Sequence, residues 1–494
     1  MHLSATTQFE SPAQRWRTSG LAALLLLAVA FATYVLFDLA GGFLIEPDSF
    51  TIMVVSMFFF GLLTLAAGYG RDRAQRTKWI VLITWWALLV SQEVFNYRSN
   101  VTTVSDSEFA TEAYGEAILW IILCAGVIAT VFKYPHFLKG LFEGDNKWMT
   151  WLTLLSVASC AMAPSPIFSL AWAFKLVLAV ILVHLCSYDM SELNGIRSFL
   201  NMTLWGVLLL VLLPTVRSVL EPDPVAGANP TGGLELRFLH ETPTEISALA
   251  GLLLIMSLTL YSPKRRRYPL WIAGLSFVLM IIAGGKTGIV AGFMSGILFY
   301  AMQRRVKAAI GFTALVTVGI GFALVFTPLG EYAAQYIKLD QLTSFTGRTG
   351  IWAFAWPLIL AKPIIGHGFY SSRFISMMYP GMPIAAIHLH NSILETAYNN
   401  GAIGLFLMTM VLVVVARNLW KAIHSNASKE LRYIAIGCLA AYVNLFVNGM
   451  FNANFGSRPF APYMILIALV PVSTQLLRIA QAESARQLEI AAAR

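Results

Sequence analysis

The chain has 494 residues, 57% of them hydrophobic and only 12% charged, with a formal net charge of +9. A soluble domain of that composition would leave a very large apolar area in water, so the soluble classes are excluded. The composition predicts an all-α polytopic membrane protein, with 1–494 forming one membrane domain.

Apolar runs long enough to cross a hydrocarbon core of about 30 Å recur along the whole chain. They fall at 21–40, 50–68, 79–95, 116–132, 148–163, 166–185, 198–219, 245–261, 268–283, 287–302, 308–327, 400–416, 432–448 and 461–477. This predicts about fourteen transmembrane helices, in a range of twelve to fourteen. The first run follows Arg15 and Arg17, is long enough to span and lacks a small-residue cleavage site, so it reads as a retained helix.

Cationic loops stay on the cytoplasmic side as spans insert. Alternating sides from a cytoplasmic N-terminus puts 24 of the 34 Lys and Arg residues inside, two (Lys175 and Arg217) within spans and eight outside: Arg98, Arg237, Lys286, Lys338, Arg348, Lys362, Arg373 and Arg458. Both termini are then cytoplasmic. Basic clusters such as Lys264-Arg265-Arg266-Arg267 face anionic inner-leaflet lipid, which accounts for the charge without nucleic acid. Cys124, Cys160, Cys186 and Cys438 lie within or at the ends of apolar runs, as small hydrophobes, with no disulfide or zinc spacing.

The outer segment 96–115 is acidic and reads as a solvated face. Lys175 stands near the middle of a span, where a charge costs about 3 kcal/mol on insertion scales, so it needs a partner or a wet cavity. Glu93 and Asp38 compete for it with a lipid pyrophosphate. Thr242-Pro243-Thr244-Glu245 combines an N-cap, proline at the first helical position and an early acid, so a helix starts there. Arg237 and His240 precede its partly positive end, and Arg237 either holds an anion or pairs with Glu241.

The long outer loop, 328–399, carries the chemistry. Its apolar stretch 351–361 is too short to cross, and Trp352 and Trp356 favour the headgroup level, so it reads as interfacial. Arg348 at its start is placed for bidentate contact with a pyrophosphate, or for anchoring to lipid headgroups. Ser392-Ile393-Leu394-Glu395 reads as a capping box that opens a helix at Ser392. His390 sits just before it, where a positive helix end favours the neutral imidazole, able to take a proton from a sugar hydroxyl. The competing reading is a turn histidine satisfying backbone groups. Asn391 orients His390, bonds a sugar or simply shapes the turn. His388 suggests a metal pair with His390, but no carboxylate or cysteine stands at ligand spacing.

Gly347-Arg348-Thr349-Gly350-Ile351-Trp352, Pro363-Ile364-Ile365-Gly366-His367-Gly368, and His390-Asn391-Ser392 followed by Gly401-Ala402-Ile403-Gly404 together resemble the signature of the bacterial O-antigen ligase and polymerase superfamily. The likeness covers roughly 232–420. Arg237 matches an arginine that the family places before a mid-chain helix. Lys286, in Gly285-Lys286-Thr287-Gly288, falls where members carry a Ser-Arg pair; lysine keeps the charge but loses the fork. That segment is no P-loop, because residue 280 is methionine.

The resemblance implies a GT-C-like membrane glycosyltransferase of the bacterial inner membrane with its site facing the periplasm. It would work without metal or cofactor on an undecaprenyl-pyrophosphate-linked oligosaccharide, with a glycan or lipid A core as acceptor. Chain-length or export proteins are implied as partners. On this reading His390 activates the acceptor, while Arg348, Arg237, Lys286, Arg217 and Lys175 handle the pyrophosphate and Asn391 assists. No Asp-x-Asp pair occurs, which argues against a nucleotide-sugar donor. A slight likeness in 394–400 favours a polymerase over a ligase. The rivals are a transporter or flippase, which calls for discontinuous helices and repeats, and a non-catalytic export partner.

Overall fold

The computed structural model describes residues 82, 84, 85, 88, 89, 136–220, 243–261, 267–283, 285–326, 348–379 and 388–493. Within these, eleven helices of fourteen residues or more follow in order. They are α1 (Asn146–Ser159), α2 (Pro166–Ser187), α3 (Leu193–Leu220), α4 (Pro243–Leu260), α5 (Tyr268–Ile282), α6 (Lys286–Met302), α7 (Val306–Phe326), α8 (Arg348–Ala361), α9 (Ser392–Ile423), α10 (Lys429–Phe451) and α11 (Ala461–Ala492). The apolar runs from 148–163 onward each coincide with one of these helices. The runs at 21–40, 50–68 and 116–132 lie outside the described residues, as does most of 79–95.

The protein is a polytopic membrane protein. Five helices among the described residues are long and apolar enough to cross a membrane: Pro166–Ser187, Leu193–Leu212, Ser392–Ile423, Lys429–Phe451 and Ala461–Ala492. Helices α1 and α5, at 14 and 15 residues, stop short of their apolar runs, while α6, at 17 residues, covers its run in full. At 1.5 Å per residue they rise only roughly 21–26 Å, less than the core they were expected to cross.

Two bundles meet. Helix α4 packs on α5, α6 and α10, while α9 packs on α1, α10 and α11. Small residues allow the close approaches: a Cβ on Gly288 of α6 would fall 2.5 Å from the Ser247 carbonyl carbon of α4. The ends of the bundle are tied by polar pairs, Arg197 to Glu430 and Arg417 to Asp145 at 2.9 Å.

The feature that places the site is a break in α9. Gly401 has φ 61°, a left-handed conformation that interrupts the helix. The amides of Ala402 and Ile403, which would have bonded to the carbonyls of Tyr398 and Asn399, instead donate to Pro363 and Ile364 at 2.8 and 3.2 Å. Those two carbonyls accept from His367 and Gly368 at 2.8 and 2.9 Å. The loop 363–368 thus replaces, bond for bond, two rungs of the helix, and each of these four freed groups has a partner.

A methyl group on Gly401 would meet the Ile364 carbonyl oxygen at 2.3 Å as well as face an adverse φ. Gly401→Ala is therefore expected to destabilise the protein by about 1–3 kcal/mol or more. Gly274→Ala, where nothing lies within 4 Å, should leave the melting midpoint unchanged or slightly higher. Thermal unfolding of the two variants in detergent, followed by tryptophan fluorescence, checks this.

Candidate functional site

The turn 388–390 is clamped at its centre. Leu389 is fully buried, its N–H donates to Glu395 Oε1 at 2.8 Å, and its carbonyl accepts from Trp352 Nε1 at 2.9 Å. Both neighbours are histidines, with ring centroids 4.0 Å apart in an edge-to-face arrangement. His390 itself has φ 50°, which a residue with a side chain adopts only when its surroundings fix it.

The helix start differs from the expected capping box. Asn391, not Ser392, is the N-cap: its Oδ1 accepts from the amides of Ile393 and Leu394 at 2.9 and 3.0 Å, and its Nδ2 donates to Met450 O. Asparagine and serine are near-equal caps, and the choice falls to the residue whose backbone is extended. Ser392 is freed for another task. Its hydroxyl donates to Asn452 O and accepts from Phe455 N–H, both at 3.0 Å, which stitches the segment after α10 to the start of α9. Glu395 does not reach back to the cap. It holds Leu389 and, on its other oxygen, Asn399.

Arg348 opens α8 and its guanidinium lies 3.4 Å from Asn452 Oδ1. Burial lowers its pKa, yet arginine stays cationic at any ordinary pH. Trp352 uses its indole N–H to hold the histidine turn, and Trp356 is exposed. Burial, and then Arg348, pushes the His390 pKa down to about 4. The direction is the one expected, with burial and a guanidinium as its causes. His388 is held well below the usual imidazole range by burial and then by His390, Arg458, Arg373 and Arg348. Arg373 and Arg458 therefore belong to the same cationic cluster.

A second cation borders it. Lys175, 6% exposed in α2, sits with its ammonium 4.0 Å from the Trp172 ring centroid, and the Arg458 guanidinium lies 5.9 Å from the same ring. Trp172 in turn packs edge-on against Tyr370, which precedes Arg373. Lys286 opens α6 with an exposed side chain and forms no hydrogen bond or ion pair with the histidine turn. Arg217 falls near the end of α3. Arg237, His240, Glu93 and Asp38 lie outside the described residues, as does all of the segment 328–347 that leads into Arg348.

Arg373 and Arg458 went unassigned in the sequence, although both stood among the eight outer-face cations. Cations are uncommon on that face, so each was a candidate; what brings them to His388 is tertiary packing.

Residues 271–409 match the family model described as O-antigen ligase. The chain carries an O-antigen ligase family region. That region contains Arg348, His388 and His390 and ends before Arg458. The chain is also similar to proteins named as candidate polysaccharide ligases. One from Rickettsia felis is 27% identical over 207 residues, 40% of this chain and 49% of the relative. One from Rickettsia conorii is 26% identical over 208 residues, 40% and 48%, and one from Rickettsia typhi is 26% identical over 174 residues, 33% and 41%. The chain thus spans about half the length of the curated relatives it matches.

Asn391→Ala removes both the cap and the bond to Met450, and should lower stability by about 0.5–2 kcal/mol. Asn391→Ser keeps a cap and should recover part of that loss. Melting midpoints of the two variants side by side check the assignment.

Proposed function

We propose that this protein is a glycosyltransferase that moves a polyprenyl-pyrophosphate-linked oligosaccharide onto a sugar hydroxyl at the periplasmic face of the bacterial inner membrane. The observation that carries the reading is the neutral His390 ring set against Arg348, with Arg373 and Arg458 close enough to act on its neighbour His388. The O-antigen ligase family region and the names of the relatives support the same class.

On this reading His390 takes the proton of the acceptor hydroxyl as its oxygen bonds to the anomeric carbon. The bond from that carbon to the pyrophosphate oxygen breaks, and the leaving group departs with an added negative charge. Arg348, with Arg373 and Arg458, stabilises that charge as it develops. The proton held on His390 then passes to the departing pyrophosphate or to water, which restores the base. A pyrophosphate is already a good leaving group, so fixed guanidiniums supply the charge stabilisation and no metal is invoked.

The choice between ligase and polymerase changes with the structure. Five residues of the segment 394–400, whose likeness favoured a polymerase, are buried scaffold: Glu395, Thr396, Tyr398 and Asn399 are 0% exposed and Asn400 is 1%. Tyr398 and Asn399 bond the loop 363–368 and Glu395 holds Leu389, so on this reading the segment builds the site and does not select the acceptor. With that support removed, a ligase acting on a lipid A core or comparable glycan acceptor is the better reading, in keeping with the relatives' names. A polymerase joining lipid-linked repeats shares the same chemistry.

Proteoliposomes given lipid-linked oligosaccharide, with and without a core lipid acceptor, should yield transferred glycan only with the acceptor present; elongated lipid-linked chains would make it a polymerase. His390→Ala should lower transfer by about 100-fold or more while the protein still inserts. The base works unprotonated, so activity is retained above its pKa and lost below it. The acid limb of kcat/KM should therefore lie near pH 4 with no break at 6.5, and Arg348→Ala should move it upward. A fully active His390→Ala protein overturns the role.

A further inference from the structure

Two buried side chains at the start of α9 reach the histidine turn and the two segments that carry Arg373 and Arg458. Glu395 is fully buried, where a carboxylate is costly unless its oxygens are filled. One oxygen accepts from Leu389 N–H at 2.8 Å and the other faces Asn399 Nδ2 at 3.5 Å. Asn399, also fully buried, uses its Oδ1 to accept from Ser372 N–H at 3.0 Å and its Nδ2 to donate to Gly456 O at 3.1 Å. Leu389 lies between the two histidines, Ser372 is next to Arg373, and Gly456 is two residues before Arg458.

From this geometry we infer that Glu395 and Asn399 are positioning residues, which set the histidine turn and the Arg373 and Arg458 segments relative to one another. The inference rests on the proposed role of His390. The physical argument is one of economy of partners. A helix needing only to pack would put apolar groups at two fully buried positions, since burying a carboxylate and an amide gains nothing in packing. Here the pair instead spends three of its contacts on backbone within two residues of a histidine or arginine of the cluster, and the fourth joins the two side chains to each other. Such a network holds its members to a fraction of an ångström, which is what a general base and its charged neighbours require.

His367 provides an internal control. Its ring stacks on Tyr398 at a centroid distance of 4.4 Å, one residue from Asn399, and its Nε2 bonds to Leu358 O at 2.8 Å, but neither contact involves Glu395. A general loosening of α9 would free His367 and His390 together. Loss of positioning would free His390 alone.

The test is carbethoxylation of the full-length protein by diethyl pyrocarbonate, with each histidine's rate read by mass spectrometry, alongside transfer kinetics. Glu395→Ala should raise the His390 rate several-fold and leave His367 unchanged, and Glu395→Gln, which keeps an oxygen for Leu389 N–H, should restore the slow rate. In transfer, kcat for Glu395→Ala should fall by about 100-fold, as for a misplacement near 1 Å, with little change in KM. Trp352→Phe, which releases the other side of Leu389, should also speed His390 modification, and this variant carries the test if Glu395→Ala does not insert. Equal changes at His367 and His390, or no change at His390, overturn the inference. A wild-type protein with no transfer activity overturns the proposed function instead, and the modification rates then still decide whether Glu395 holds the turn.

Discussion

The interruption of α9 at Gly401 is the constraint on which the site depends. In a membrane, backbone groups released from a helix find no water to satisfy them and must be paired within the protein. Two rungs are released here, and the loop 363–368 supplies a partner for each of the four groups. That exchange fixes the loop against the helix. The loop then leads directly into Ser371–Phe374, the 3₁₀ turn that carries Arg373. The same stretch of α9, ahead of the break, presents Glu395 and Asn399 to the histidine turn and to the segment after α10. A helix running unbroken through 401 would have no bonds to offer the loop.

Electrostatics follow from that assembly. Three guanidiniums act on one pair of imidazoles, and the burial of those rings is the larger effect, with Coulomb repulsion second. Both push the same way, so the rings are neutral at pH 7 while the arginines stay charged. The guanidiniums that repel a proton from the rings also attract an anion, so on the proposed reading one arrangement serves both the free base and the pyrophosphate. Trp172 extends the wall, with Lys175 and Arg458 over its ring; cation–π contacts of this kind contribute about 0.5–2 kcal/mol each and keep a long cationic side chain in place.

The helices were legible because their signal is local: a run of apolar residues between polar ones is the same feature in sequence and in structure. Their lengths were less so, as the α5 run ends in Ala283, which continues the apolar pattern but not the helix. His390 and Arg348 were legible as chemistry-bearing residues in an otherwise apolar chain. The roles of Asn391, Ser392 and Glu395 were not. The spacing of a serine and a glutamate matched a capping box, yet the partners that decided the matter, Leu389, Met450 and Asn452, come from other turns and another helix end. Arg373 and Arg458 lie 85 residues apart in the sequence, and no pattern along the chain joins them.

A broken helix is also a mark of transporters, where half-helix ends and unwound carbonyls bind ions and substrates. The break in α9 differs in one physical respect. The carbonyls of Tyr398 and Asn399 and the amides of Ala402 and Ile403 are all consumed by the loop 363–368, so none is left to coordinate a passing solute. The discontinuity serves as an anchor for a fixed loop. Beside it stand two imidazoles among guanidiniums, an arrangement that fits the group transfer proposed above better than passage of a solute.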